Sequence, residues 1–127
     1  MPNAIVAHAW FHTANAEEIL AQQKSFHLFL WRRGMKALAD CEQVCCKLSC
    51  LCLQEGPWDY EDNRGIVLEA LEIFGIDRCM FASNFPVDGL RVSFDRMFQD
   101  FKRMTGDLSA SDRRKLFHDN AARFYRI

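Results

Sequence analysis

Short apolar runs alternate along this chain with longer segments in which apolar residues recur at helical spacing. The runs at 3–9, 44–49 and 79–82 have the length of buried strands. Phe94, Met97, Phe98 and Phe101 stand at i, i+3, i+4 and i+7, which is the spacing of one helical face. Similar spacing and helix-favouring composition predict helices over residues 14–23, 26–40, about 64–74, 94–104 and 110 to about 125.

Loop and capping signals separate these elements. Residues 50–63 contain Gly, Pro, Trp and several acids, and residues 83–89 contain Asn, Pro, Asp and Gly, so both segments are predicted loops. Gly75 and Gly106 are predicted helix ends, and Asn15 and Ser109 are predicted N-caps. We expect Asn120 to fasten the last helix through side-chain hydrogen bonds.

Alternation of strands and helices predicts the α/β class, with a parallel sheet and crossover helices. Three strands are few for a closed sheet, and the open edges of a parallel sheet invite pairing. Residues 1–127 are therefore predicted to form a single domain that is part of a larger architecture.

Composition narrows the class of protein. Half of the 127 residues are hydrophobic (50%) and 13% are aromatic, which is more apolar surface than a disordered chain carries. The sequence contains no run of about 18 apolar residues and begins with no secretory signal, so no membrane association and a cytoplasmic location are predicted. Sixteen basic residues against seventeen acidic ones leave a net charge of -1, which argues against broad nucleic-acid binding.

Six cysteines, five of them within twelve positions, raise the question of a metal site or disulfides. They are Cys41, Cys45, Cys46, Cys50, Cys52 and Cys79. No pair has the C-x2-C spacing of structural zinc sites, and thiols stay reduced in the cytoplasm. The favoured interpretation is that they pack in or beside a strand as small core residues. A cysteine-based metal module is the weaker alternative.

Four blocks of sequence resemble the C-terminal part of the amidohydrolase-related family. They are residues 31–39 (WRRGMKALA), 47–49 (KLS), 74–87 (FGIDRCMFASNFPV) and 119–127 (DNAARFYRI). The blocks resemble most the branch of metal-dependent TIM-barrel hydrolases that includes lactonases acting on sugar lactones and dicarboxylate lactones. The resemblance implies a partial (β/α)8 barrel of about three parallel strands, with crossover helices and a C-terminal helix, because a full barrel takes about 250 residues.

The resemblance also implies site residues. His8 matches the His of a His-Ala-Gly segment at the end of a late strand, with Trp10 in place of the Gly. Asn84 stands where the wider superfamily places an Asp, and the lactonase-like branch often carries Ser-Asn-Phe-Pro. The implied catalytic residues are His8 and Asn84, and His8 is also the implied metal ligand. The first-strand His-x-His pair of the family has no counterpart in this sequence.

Because of these departures, two alternatives remain for the cofactor: a divalent metal such as Zn²⁺, or no metal. An amide can donate and accept hydrogen bonds but cannot act as a base, so Asn84 would polarise a lactone carbonyl. Ser49 is expected at the same barrel mouth as a substrate-binding residue. Trp58 could bind substrate at the pocket mouth or pack in the interior.

Two other residues keep alternative interpretations. His12 stands four residues after His8, a spacing that could bind metal on a helix, although the β-prone residues before it argue otherwise. Lys47 is out of place in a buried strand, because an unpaired buried charge is costly. It would either pair with an acid across the barrel or be functional.

Two functions follow from this sequence. In the first, the chain is the C-terminal portion of a hydrolase in which water attacks a lactone or ester carbonyl of a small-molecule substrate. In the second, it is a non-catalytic half-barrel that associates with a second copy as a homodimer, or with a partner half.

Overall fold

Three parallel strands form one sheet in the order β1-β2-β3, and a helix follows each strand. The computed structural model describes the backbone of residues 5–8, 17–51 and 57–127, and the side chains of residues 28–51 and 57–127. The strands and long helices are β1 (Ile5–His8), α1 (Glu17–Ala39), β2 (Val44–Leu48), α2 (Tyr60–Phe74), β3 (Cys79–Phe81) and α3 (Phe94–Met104). The last elements are α4 (Ala110–Arg114), a π turn (Lys115–Asp119) and α5 (Asn120–Tyr125).

The register of the sheet aligns the strand ends. His8 lies opposite Lys47, and Leu48 lies opposite Phe81. Because all three strands are parallel and joined through helices, they are consecutive βα units of the kind that build a TIM barrel. The prediction of an α/β fold with about three parallel strands, as part of a barrel, is confirmed.

The helix predictions differ from the structure at two places. Residues 14–23 and 26–40 were predicted as two helices, whereas α1 runs without a break from Glu17 to Ala39. Lys24 and Ser25 lie at the predicted break and neither is Gly or Pro, so nothing there stops the helix. The proposed cap Asn15 lies outside the described residues. The second difference is that α2 begins at Tyr60, because the Asp59 carboxylate accepts a hydrogen bond from the Asp62 N–H at 2.8 Å.

The terminal helix carries a π turn that the sequence pattern did not indicate. Ser109 caps its start as predicted, accepting the Asp112 N–H at 3.0 Å. Within the helix, Leu116 and Asn120 are 0% and 2% exposed. Positions four apart share a face of an α-helix as well, so the burial of Leu116 and Asn120 does not itself require the π turn.

The helices cover one face of the sheet. Val44, Cys46 and Leu48 of β2 are buried at 0–2% exposure and belong to the main apolar cluster. Phe81 of β3 stacks on Phe101 of α3 with ring centroids 4.5 Å apart. The alternation of buried and half-buried residues along β2 therefore assigns one face to the helical layer.

Two of the cysteines lie in this core. Cys46 and Cys79 are opposite each other on adjacent strands, and both are 0% exposed. A hydrogen bond to Cys46, together with burial, raises the pKa of the Cys79 thiol, so it stays protonated and unreactive. The packing interpretation is confirmed for this pair, whereas Cys41 is exposed and Cys52 lies outside the described residues.

Side chains bonded to backbone carbonyls hold the amino end of β3. Arg78 donates to the carbonyls of Phe74, Ala39 and Cys41 at 2.9–3.2 Å. Asn120 Nδ2 donates to the carbonyls of Ile76 and Cys79 at 2.6 and 2.7 Å. These contacts confirm the structural role predicted for Asn120.

An ion pair ties the terminal helix to the turn before β3. Lys115 Nζ lies 2.9 Å from Asp77 Oδ1, and this hydrogen bond and the attraction between the charges lower the pKa of Asp77. A lowered pKa in the folded state means that the contact stabilises the fold above the unfolded-state pKa of about 4 and loses its effect as the pH falls through the folded value.

Within the described residues, no helix is both long enough and apolar enough to cross a membrane. The cytoplasmic location stays a prediction.

Replacing Asn120 with Asp should destabilise the fold strongly. The variant keeps the shape of the side chain but turns a donor into an acceptor that faces two buried carbonyl oxygens. We expect the free energy of unfolding to fall by about 2–4 kcal/mol at pH 7 in a urea titration. His118→Asn, at an exposed position of the same helix, is the control. If Asn120→Asp lowers the free energy of unfolding by no more than the control does, these hydrogen bonds do not hold the helix.

Candidate functional site

The carboxyl ends of the three strands lie along one edge of the sheet. His8 is the last residue of β1, Ser49 follows directly after β2, and Asn84 comes three residues after β3. The Ala82 N–H donates to the Leu48 carbonyl at 3.0 Å, which continues the pairing of β2 and β3 to this edge. The topology therefore places the predicted residues His8, Ser49 and Asn84 at the same edge.

The loop that carries Asn84 is built around a buried carboxylate. Asp88 is 2% exposed, and its Oδ2 accepts a hydrogen bond from the Asn84 N–H at 2.8 Å. In return the Asp88 N–H donates to the Asn84 carbonyl at 3.1 Å. The Asp88 carbonyl accepts the N–H groups of Arg91 and Val92, both at 3.0 Å. This network fixes the backbone of Asn84 relative to the end of β3.

Asp88 is the residue that sequence reasoning missed. It was counted among the turn-forming residues of 83–89 and given no role of its own. The signal was an Asp four residues after Asn84, because Asp side chains readily accept hydrogen bonds from nearby backbone N–H groups in turns.

Two polar side chains at this edge have no hydrogen-bond partner among the described residues. Neither the Asn84 amide nor the Ser49 hydroxyl is hydrogen-bonded to another residue in the described part of the chain, although Ser49 is only 2% exposed. An amide and a hydroxyl offer both donors and acceptors. Asn84 is half-buried rather than buried, so these donors and acceptors are open to a polar ligand.

The structure places His8 by its backbone only. It ends β1 and lies opposite Lys47 of β2. Its side chain lies outside the described side chains, so the catalytic and metal-ligand roles of His8 stay predictions. His12 lies outside the described residues altogether.

Trp58 is buried between the helices rather than open at the edge of the sheet. It is 8% exposed, its indole N–H donates to Asp100 Oδ2 at 2.8 Å, and its ring meets Phe101 edge-on at 5.9 Å. These contacts match the packing alternative. The substrate-binding role of Trp58 stays a prediction that none of its described contacts supports.

The donors present do not by themselves make a metal site. Among the described side chains, no group of three or more His, Cys, Asp or Glu residues is placed to hold a metal ion. A hydrolytic metal takes three or four protein ligands and an open position for water. The residues of this edge, an amide and a hydroxyl beside one strand-end histidine, do not fit a complete metal centre.

An open groove of about 640 Å³ lies at the opposite end of the sheet, lined by Asp40, Glu72 and Arg78, among others. Arg32 and Glu69 form an ion pair close by, since Glu69 also lines the groove. Arg78 is already bonded to three backbone carbonyls, and the lining mixes both signs of charge. In TIM barrels this amino-terminal end of the strands serves stability rather than catalysis.

These features define a fragment of an α/β barrel whose polar residues gather at the carboxyl edge of the sheet. The chain belongs to the amidohydrolase family, whose model matches residues 3–127. This confirms the family resemblance seen in the sequence.

Relatives of known sequence are considerably longer than this chain. It is 50% identical over 101 residues to the uncharacterized protein y4mH of Sinorhizobium fredii, covering 80% of this chain and 34% of that protein. It is 34% identical over 105 residues to an L-fucono-1,5-lactonase of Burkholderia multivorans, covering 76% of this chain and 35% of the lactonase. The chain thus spans about a third of the length of these relatives.

Solved structures agree with the barrel architecture. An amidohydrolase from Burkholderia multivorans, solved with bound HEPES, matches with a TM-score of 0.77 at 30% identity, covering 85% of this chain and 40% of its own. The same amidohydrolase solved with bound zinc matches with a TM-score of 0.75 at 32% identity, covering 81% of this chain and 39% of its own.

Removing the Asp88 carboxylate should release the Asn84 backbone. In Asp88→Ala the Asn84 N–H loses its acceptor, so we expect its amide hydrogen exchange to accelerate at least tenfold, since each lost 1.4 kcal/mol of protection is a factor of ten. Asp88→Asn keeps an accepting oxygen and should retain most of the protection. Equal exchange rates in the wild-type chain and Asp88→Ala would contradict the role assigned to this carboxylate.

Proposed function

We propose that this chain is the C-terminal part of a hydrolase that opens a lactone or ester by water attack on the carbonyl carbon. The observation that carries the proposal is the meeting of His8, Ser49 and Asn84 at the carboxyl edge of one parallel sheet. TIM-barrel enzymes assemble their active sites at that edge. The 34% identity to a lactonase supports a lactone as the substrate class.

Each residue takes a role that its chemistry permits. His8 accepts a proton from the attacking water, because imidazole titrates near neutral pH. The Asn84 amide donates a hydrogen bond to the carbonyl oxygen as negative charge develops on it. Ser49 binds a polar group of the substrate through its free hydroxyl.

The proposed reaction balances without a redox partner. The water oxygen bonds to the carbonyl carbon while its proton passes to the His8 imidazole, leaving a tetrahedral oxyanion held by Asn84. Collapse of this intermediate breaks the bond to the ring oxygen, which takes the proton back from His8. The product is a hydroxy acid, or an acid and an alcohol when the substrate is an open ester.

Activity requires the strands that this sequence does not contain. The chain covers 34–40% of the relatives and solved structures compared above. The remaining part of a barrel would close the pocket and supply the groups of the early strands, including any metal ligands that accompany His8.

A chimera in which this chain replaces the C-terminal third of the Burkholderia lactonase tests the proposal. We expect it to hydrolyse a 1,5-aldonolactone, followed by acid release in a pH-stat. His8→Ala should lower kcat by about 10²–10⁴, and Asn84→Ala by about 10²–10³.

His118→Ala is the matched control, because His118 is exposed and lies in the terminal helix. It should leave kcat unchanged. The proposal fails if a chimera that melts cooperatively hydrolyses no lactone, or if His8→Ala and Asn84→Ala behave like the control.

A second candidate is a non-catalytic half-barrel that pairs with another copy of itself. The observation favouring it is the exposure of large apolar side chains, among them Phe29 and Leu30 on α1 at 58% and 45%, and Leu90 beyond β3 at 79%. A three-stranded sheet also presents open edges to a partner.

The solution mass of the reduced chain, by light scattering after size exclusion, tests this candidate. Pairing of copies predicts the mass of a dimer, since each copy would cover the exposed apolar side chains of the other. A monomer at micromolar concentration would rule out the homodimer.

A further inference from the structure

The side chains of α1 lie in parallel rows, because residues four apart in a helix follow one another along nearly the same line. Trp31, Met35 and Ala39 form the row that packs into the apolar core. Arg32 begins the row on one side of it and forms an ion pair with Glu69 of α2. The core therefore lies beneath α1, and α2 lies along one of its two flanks.

The row on the opposite flank of α1 is apolar and exposed. It consists of Leu30, Gly34 and Leu38, which we call the apolar flank of α1. Its two leucines are 45% and 38% exposed. Single exposed apolar residues are ordinary at a protein surface, whereas a row of them marks a surface for contact with another element.

Gly34, at the centre of the apolar flank, is not explained by the fold of this chain. A Cβ atom at this position would meet no atom of another part of the chain within 4 Å. Gly is also less favourable than Ala in the interior of a helix. A missing side chain does have a use when a second helix packs here, since the side chains at the contact set how closely two helices approach.

The free edge of β1 lies on the same side of the molecule as the apolar flank. β1 pairs with β2 on one side, and no other described strand pairs with it on the other. Because α1 follows β1 and α2 follows β2, the flank of α1 that faces away from α2 lies toward this edge. A partner that contributes one strand and one helix would cover the edge and the apolar flank together.

The relatives of this chain contain such βα units. About two thirds of y4mH and of the Burkholderia lactonase lie outside the matched region. In a (β/α)8 barrel the helices form a closed ring, so each helix has a neighbour on both flanks. A second copy fits less well, because a two-fold pair that joined both features would set the two β1 strands antiparallel, whereas all barrel strands are parallel.

We propose that the apolar flank of α1 and the free edge of β1 form one docking surface for a βα unit of the amidohydrolase barrel, supplied by a polypeptide that carries the strands absent from these 127 residues. The strand of that unit pairs with β1 in parallel. Its helix packs against Leu30 and Leu38 and makes its closest approach at Gly34. This inference concerns the assembly of the barrel and does not depend on lactone hydrolysis.

Co-production of two polypeptides tests the proposal. One is the 127-residue chain, and the other is the part of y4mH outside the matched third, which carries an affinity tag. We expect the two to be recovered as a one-to-one complex, with the mass of one copy of each by light scattering. The complex should survive a wash in about 1 M NaCl, because salt screens contacts between charges and not apolar burial.

Substitutions on α1 identify the surface that the partner covers. Leu30→Lys and Leu38→Lys each place a charge in the apolar flank and should lower recovery of the complex at least tenfold. Phe29→Lys is the matched control, because Phe29 is more exposed, at 58%, and belongs to the same helix but lies in the row that faces away from the core. It should leave recovery nearly unchanged.

Gly34→Leu supplies a second readout, in which stability and association change in opposite directions. Leu is the better helix former and has open space here, so Tm of the chain alone should rise by about 2–5 °C. The added side chain would hold the partner helix away, so recovery of the complex should fall at least tenfold. Gly65→Leu, at an equally open position of α2, is the control and should raise Tm without changing recovery.

Three results overturn the inference. The first is the failure of two soluble polypeptides to associate. The second is a loss for Phe29→Lys as large as the loss for Leu30→Lys. The third is a homodimer of the 127-residue chain that Leu30→Lys dissociates, because a second copy would then occupy the apolar flank. A one-to-one complex that hydrolyses no lactone would instead reject the hydrolase and leave this docking surface standing.

A single polypeptide that joins the y4mH part to this chain answers the same question if that part is insoluble by itself. Leu38→Cys should then react with a maleimide at least tenfold more slowly in the joined protein than in the 127-residue chain, measured on separated peptides by mass spectrometry. Phe29→Cys should react equally fast in both. Equal rates for Leu38→Cys in the two proteins overturn the inference.

Discussion

The structure depends on the parallel register of three short strands. That register puts His8 opposite Lys47 and Leu48 opposite Phe81, and so it brings three strand ends to one edge. A shift of one residue in β2 would turn Lys47 into the helical layer and Cys46 and Leu48 away from it, because side chains alternate between faces. The apolar core and the candidate site are therefore fixed by the same pairing.

The two ends of the sheet differ in the contacts that their polar side chains make. At the amino end, Arg78 and Asn120 satisfy the carbonyls around the start of β3, which makes that end rigid. At the carboxyl end, the Asp88 carboxylate holds the backbone of Asn84, while the Asn84 amide and the Ser49 hydroxyl have no hydrogen-bond partner in the described chain. The stabilising contacts and the residues of the proposed site thus lie at opposite ends of the same strands, as in complete TIM barrels.

Much of this architecture follows from the sequence, for identifiable reasons. Val44–Leu48 and Phe94–Met104 were predicted almost residue for residue, because their apolar spacing has a single interpretation as strand or helix. The continuous α1 was predicted as two helices, since a gap in apolar spacing resembles a boundary even when no residue there breaks a helix. His8, Ser49 and Asn84 were grouped by the resemblance to a family and not by periodicity.

Other features depend on contacts between distant residues, which a single sequence does not reveal. The core position of Trp58 results from a hydrogen bond to Asp100, 42 residues away. The role of Asp88 depends on the local shape of a loop. The apolar spacing of residues 110–125 does not indicate the π turn at Lys115–Asp119. In each case the residue type allows several roles, and tertiary packing selects one.

The measurement that tests this account most directly is the register of β1 against β2 in solution. Backbone NOEs between His8 and the Lys47–Leu48 segment, recorded on the isotopically labelled chain, would confirm that the strand ends meet at one edge. Cross-strand NOEs in a shifted register, or none between these strands, would contradict the shared site and with it the proposed hydrolase.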